Sequence, residues 1–324
     1  MKFKKNNKLF VSFPSGKFFL DFQTAVITGV CRSGKTTLGN LLSSHLDVEF
    51  SEEPWILNLL PTMVKLGVIE RKIGAEMFNA YLHELMNQTA LLRQANFRPG
   101  DSSSIWIRKS AAEIFSRLVN LQTRADVDNF VKKNKPIFLL VMPESLLFNL
   151  PAIFNAVSDA KIIHVVRRGT DIAHLLSGKG WLSDEQLIRP PHARIYYQTT
   201  HKGKPFYLPC WIDPKDAKKF IGYSEYERGL IYWCALMEKM IESFEKSKNQ
   251  KQCLMIKFEE LMENPRKITE KAASFLNLKP SSMTEAVLRE IRNYKNVREK
   301  IPVLPKELVA RTKKIYEYFG YGWN

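Results

Sequence analysis

Cysteine is scarce and scattered in this chain: Cys31, Cys210, Cys234 and Cys253, with no C-x-x-C pair. That spacing suggests neither a zinc site nor a disulfide framework, and a reducing cytoplasm fits it best. Long hydrophobic runs are lacking too. The basic start, Met1 to Lys8, leads into apolar stretches broken by Pro14-Ser15-Gly16-Lys17, so neither a signal peptide nor a transmembrane helix is expected. Acidic residues are in deficit, 33 against 49 Lys and Arg, for a formal charge of +16. Such a balance suits nucleotides, acidic glycans, nucleic acid or anionic lipid headgroups. No basic-aromatic repeat or Lys-clustered helix is present, so a specific nucleic-acid partner is not expected, whereas peripheral contact with an anionic membrane is.

What the chain does have is a phosphate loop. Gly29-Val30-Cys31-Arg32-Ser33-Gly34-Lys35-Thr36-Thr37 follows the apolar run Thr24 to Thr28 and precedes Leu38, Leu41, Leu42 and Leu46 on one helical face. The order is strand, loop, helix. Gly29, Gly34, Lys35 and Thr36 satisfy G-x-x-x-x-G-K-[ST], in which backbone N–H groups wrap an anion at a helix N-terminus.

With 324 residues, 45% of them hydrophobic, the chain can bury a large core. Leu9 to Phe13 and Phe18 to Phe22 flank a Pro-Ser-Gly-Lys turn and predict an N-terminal β-hairpin. Val48 to Phe50 predicts a second short strand running into Ser51-Glu52-Glu53-Pro54. Residues 55–134 read as a helical insertion. Ile137 to Met142 and Lys161 to Val166 are apolar strands, the second ending on Arg167-Arg168-Gly169. Residues 178–229, rich in Trp, Tyr, His and Pro without a clean period, predict a long binding loop. A helix from Glu225 to Lys248, a strand from Cys253 to Lys257, a turn from Glu259 to Pro265 and further helix complete the chain. The expected fold is α/β over residues 1–324 as one domain: a P-loop-type three-layer sandwich with a central parallel sheet between helices. Ligands collect at the carboxyl ends of such strands, where Gly29, the paired glutamates and the arginines all lie.

Four segments together resemble the sulfotransferases that use 3′-phosphoadenosine 5′-phosphosulfate (PAPS). Arg32-Ser33-Gly34-Lys35-Thr36-Thr37-Leu38 is similar to the family's 5′-phosphosulfate loop, with Lys35 where a threonine is usual. Asp47-Val48 with Glu52-Glu53-Pro54 resembles the continuation in the carbohydrate and tyrosylprotein branches. Ala160 to Arg167 with Asp171 resembles the 3′-phosphate strand, and Met255 to Leu261 with Asn264-Pro265 the late strand and turn, with Phe258 where Tyr is usual. Two departures stand out. Val141-Met142-Pro143 lacks the family's lysine, and Leu175 occupies the serine position, for which Ser177 is the nearby substitute.

The resemblance implies PAPS as donor, PAP as product and no metal. The donor carries roughly four negative charges, so two anion sites are wanted. Arg32, Ser33, Gly34, Lys35, Thr36 and Thr37 would hold the 5′ end; Arg167, with Ser177 and Phe258, would hold the 3′-phosphate region. An acceptor hydroxyl or amine would attack sulfur in line, with Arg32 first and Lys35 second stabilising the leaving oxygen, and with Glu53 as base, Glu52 being the alternative. The implied acceptor is a carbohydrate or glycolipid bound by the 178–229 segment. His174, His192 and His201 are further candidates for base or acceptor ligand. Taken alone, the loop also fits an ATP-dependent kinase or NTPase, with Lys35 at the β/γ-phosphates, Thr36 on Mg²⁺ and Glu144 as the nearest strand-end carboxylate.

Overall fold

Five short strands pair side by side, and the alternation of their side chains sorts the core. They are β1 (Gln23–Thr28), β2 (Val48–Glu52), β3 (Ile137–Val141), β4 (Lys161–Val166) and β7 (Cys253–Lys257), all parallel in the order β2-β3-β1-β4-β7. The computed structural model describes residues 20–190, 194–291 and 301–323. The expected N-terminal hairpin falls almost wholly on residues 1–19, outside the described residues; Leu20 to Phe22 lead into β1 without forming a strand.

Successive strand residues point to opposite faces. Ile27, Leu139, Val141, Ile163, Val165 and Ile256 turn to one face, where they pack with Leu38, Leu41 and Leu42 of helix α1 (Lys35–Ser43) and with the helix Pro265–Leu276. Val26, Phe138, Leu140 and Ile162 turn to the other, against α2 (Trp55–Lys65) and α3 (Arg71–Ala90). Helices therefore flank the parallel sheet on both faces. Residues 55–134 also contain α4 (Ala111–Asn120) and α5 (Arg124–Asn134), the latter held at its start by a Thr123/Asp126 capping box.

Three segments differ from expectation. The second strand runs on to Glu52, because Ser51 and Glu52 stay in register with Leu140 and Val141. The 178–229 segment is folded rather than a long loop: β5 (Tyr196–His201) and β6 (Lys204–Pro209) form an antiparallel hairpin that turns at Lys202 and Gly203, both at positive φ (50° and 74°). Phe206 and Leu208 of that hairpin join a core with Trp211 and Trp233. The expected turn at Glu259 is a helix, Phe258–Glu263, with Pro265 starting the next one.

One buried polar residue makes the fold acid-sensitive. His164 of β4 is 1% exposed with both ring nitrogens unpartnered, and burial lowers its pKa from 6.5 to about 4. A depressed folded value means the unfolded chain takes up this proton first, so the contribution is full above pH 6.5 and is lost as pH falls toward 4. His164→Leu should accordingly flatten the fall of Tm across that interval, as followed by thermal melts in a pH series. An unaltered fall would assign the sensitivity to other groups, such as His83, which burial also lowers to about 4.

Candidate active site

Every strand of the parallel sheet ends on a residue of this site. After β1 the chain must turn tightly beneath β4 to enter α1. A Cβ on Gly29 would lie 2.3 Å from the Val165 carbonyl oxygen, and one on Gly34, which has φ 95°, would lie 2.3 Å from the Phe258 ring. Only glycine fits at either place. Gly34 caps α1 without a side-chain hydrogen bond, so the first-turn N–H groups of Lys35, Thr36 and Thr37 face the loop's mouth. The buried Ser33 hydroxyl has no partner, and Arg32 stands exposed at φ 65°. Lys35 is 5% exposed; its Nζ donates to the carbonyls of Gly29 (3.0 Å) and Val30 (3.1 Å), which leaves one of three donors for an anion.

The β2 end supplies the carboxylates. Thr36 Oγ1 donates to Glu52 Oε1 at 2.6 Å, so Glu52 is engaged in holding the loop. Glu53, at φ 47°, extends the ladder by donating its N–H to the Val141 carbonyl (2.8 Å). Desolvation raises its pKa above the usual carboxylate value; Lys35 and Arg194 oppose the rise, while Glu144 and Glu52 add to it.

Beyond β3 lies a group that sequence reasoning largely missed. Glu144, 2% exposed, accepts from Tyr232 Oη (2.7 Å) and sits 3.6 Å from Arg194 Nη2. Burial alone would raise its pKa, but Arg194 and Lys35 hold it below the usual range, so it stays a carboxylate. Cys31 Sγ donates to the same Tyr232 oxygen at 3.7 Å, and burial pushes its thiol up to about 12. This thiol is not a nucleophile at neutral pH. Glu144 was legible only as a strand-end carboxylate; Arg194, which arrives from a distant segment, left no local signal.

At the β4 end, Arg167 Nη1 donates to the Arg32 carbonyl (3.0 Å), and its guanidinium lies 4.2 Å from the Phe258 ring centroid. Asp171 Oδ2 is 3.9 Å from Arg167 Nε. Phe258 thus wedges between Gly34 and Arg167. Ser177 lies in the last turn of the helix Gly169–Gly178, where its hydroxyl donates to the His174 carbonyl (2.9 Å). His201 packs on Phe206 with Asp184 4.0 Å away, and His192 lies outside the described residues.

Two cavities open on either side of Glu53 and Trp55, which line both. One, of about 420 Å³, adds Tyr81, Asn96, Ser103 and Arg108; the other, of about 300 Å³, adds Asn58, Glu144, Arg194 and Trp211. Trp55 is 58% exposed, an aromatic ring left bare beside a candidate base. Among the described residues no cluster of His, Cys, Asp and Glu could hold a metal ion.

A parallel α/β sheet whose first strand feeds an anion loop, with an arginine at the next strand end and a carboxylate opposite, defines a group-transfer protein acting on an anionic donor. The chain belongs to the sulfotransferase family, whose profile matches residues 25–204. Comparison with curated proteins gives no match. Among solved structures, it is similar to the sulfotransferase domain of the Synechococcus PCC 7002 olefin synthase (14% identity, 96% of this chain and 98% of that one, TM-score 0.47). It is also similar to the sulfotransferase domain of the curacin biosynthetic pathway (11%, 94% and 99%, 0.48) and to a mouse sulfotransferase complexed with PAP (13%, 92% and 78%, 0.36).

Proposed function

We propose that this sulfotransferase takes its sulfuryl group from PAPS and passes it to a hydroxyl or amine of a carbohydrate or glycolipid. The acceptor oxygen or nitrogen attacks sulfur in line, the bond from sulfur to the bridging phosphate oxygen breaks, the acceptor proton passes to Glu53, and PAP leaves. Negative charge grows on the bridging oxygen, where Arg32 and the remaining N–H of Lys35 stabilise it. The observation that carries this reading is Glu53 itself: a carboxylate with a raised pKa at the end of β2, within the field of the loop lysine.

In this reading residues 55–134 and 178–229 are insertions into one domain that wall the acceptor site, supplying Tyr81 and Arg108 on one side and Arg194 and Trp211 on the other. Aromatic faces beside amide and hydroxyl groups suit sugar rings. The paired glutamates favour the carbohydrate and tyrosylprotein branches of the family. The cysteines Cys31, Cys210, Cys234 and Cys253 are free thiols, which fits a cytoplasmic protein, and the +16 charge supports peripheral contact with an anionic membrane. Ser177 contributes to the 3′-phosphate only if its helix end shifts.

Isothermal titration with PAP and with ATP–Mg²⁺ tests the donor. PAP should bind, and Arg32→Ala and Arg167→Ala should each weaken it about 10- to 100-fold, the loss of a charge-assisted hydrogen bond. Tight ATP–Mg²⁺ binding without response to PAP would instead favour an ATP-dependent P-loop kinase or NTPase using Gly29–Thr36.

A further inference from the structure

Both peptide units that flank Arg167 are pinned by side chains from other segments. A turn from strand into helix leaves backbone polar groups beyond the reach of ladder or helix bonds, and each needs a partner. Trp233 Nε1, on the helix Glu225–Glu245, donates to the Arg167 carbonyl (3.1 Å). The Arg168 N–H donates to Glu259 Oε1 (3.0 Å), on the helix Phe258–Glu263. Tyr321 Oη in turn donates to Glu259 Oε2 (2.7 Å) and lies 3.3 Å from the Val166 carbonyl oxygen. Two residues further along, the Thr170 N–H donates to Tyr316 Oη (3.2 Å). Both tyrosines arrive with the helix Lys306–Phe319, which Gly320 closes at φ 64°. The Tyr321 N–H then turns back to the Tyr316 carbonyl (2.8 Å), the reversal that a left-handed glycine cap permits.

We propose that Tyr321 is a positioning residue for the donor's 3′-phosphate: through Glu259 it fixes the backbone from which Arg167 projects. The proposal rests on the reading that Arg167 holds that phosphate. Phe258 and Glu259 are neighbours, so one short helix holds the arginine at both ends, with a ring 4.2 Å from the guanidinium and a carboxylate on the N–H that follows. Tyr321 ties that helix to the turn. The guanidinium stands at the far end of a long side chain, so a small rotation of either flanking peptide unit swings it away from a bound phosphate. Its fork geometry makes such pairing sensitive to displacement. The start of the helix Gly169–Gly178 offers less in its place. Its Arg168 and Thr170 N–H groups are already taken by Glu259 and Tyr316, which leaves fewer backbone donors for an anion and more of the recognition to the arginine.

Isothermal titration of the full chain with PAP and with adenosine 5′-phosphate, which lacks the 3′-phosphate, tests this. Wild type should bind PAP the more tightly. Tyr321→Phe should weaken PAP about tenfold, the loss of a hydrogen bond to a carboxylate, while adenosine 5′-phosphate changes by less than about twofold. In an Arg167→Ala background the same substitution should weaken PAP no further, because residues that act through one contact are not additive. Thermal melts check that each variant is folded at the temperature of titration. Unchanged PAP affinity in Tyr321→Phe overturns the inference. An equal loss for both nucleotides, or a full further loss in the Arg167→Ala background, overturns it too, by making Tyr321 a support of the fold at large. Wild type that binds the two nucleotides equally overturns instead the assignment of the 3′-phosphate to Arg167, and the inference with it.

Discussion

Glu53→Gln should lower turnover about 10²- to 10⁴-fold while leaving PAP affinity unchanged. Glutamine keeps the shape and the backbone strain of φ 47° is the same in both, so the change isolates the proton acceptor. Glu52→Gln should behave differently. Its carboxylate accepts from Thr36, so its loss should appear in donor binding before it appears in turnover. The pH profile separates the two further. A base must be ionised to act, so activity falls as pH drops through its folded pKa; because burial raises that value in Glu53, the acid limb should lie above the usual carboxylate range. Glu144 contributes to the rise and Arg194 opposes it. Glu144→Gln should therefore move the acid limb to lower pH and Arg194→Ala to higher pH. Full turnover in Glu53→Gln would remove the base from this position.

The sheet was legible in the sequence because each strand buried on both faces is a short continuous apolar run, and each is followed by a residue that cannot continue it. Gly29, Pro54 and Pro143 mark three strand ends in this way. Contacts between distant segments left no such mark. Arg194 reaches Glu144 from across the 178–229 segment, whose hairpin turn is Lys202-Gly203 rather than the more recognisable Asn-Gly, and whose prolines disguise the alternation of Phe206 and Leu208. Ser177 stands about 200° of helical rotation from Leu175, and its hydroxyl donates within its own helix, to the His174 carbonyl, a pairing that motif spacing does not disclose. Helix α4 lies within the helical insertion expected over residues 55–134, but that its Arg117 packs on Glu49, a charge buried inside β2, shows only in the tertiary structure.

Glu49→Ala should destabilise the protein by about 3–5 kcal/mol, measured by urea denaturation, because it leaves two cations without their buried counter-charge. Glu49 is fully buried; its Oε1 accepts from Arg117 at 2.5 Å and from Lys109 at 3.4 Å. Burial would raise its pKa, but Arg117 and Lys109 together outweigh burial and hold it below the usual carboxylate value. The depressed folded value means this stability is present above the unfolded pKa and is lost as pH falls through the folded one, so the alanine variant should differ least from wild type in acid. Removing the central pair, with Lys109 left to Glu113 and the Val48 carbonyl, is a different perturbation. Glu49→Leu with Arg117→Met replaces a desolvated pair by apolar groups and should recover much of the loss, since such exchanges are often neutral or favourable. A large loss in Glu49→Ala with recovery in the double variant is the expected pairing, because a desolvated ion pair adds little net stability while half of one costs a great deal.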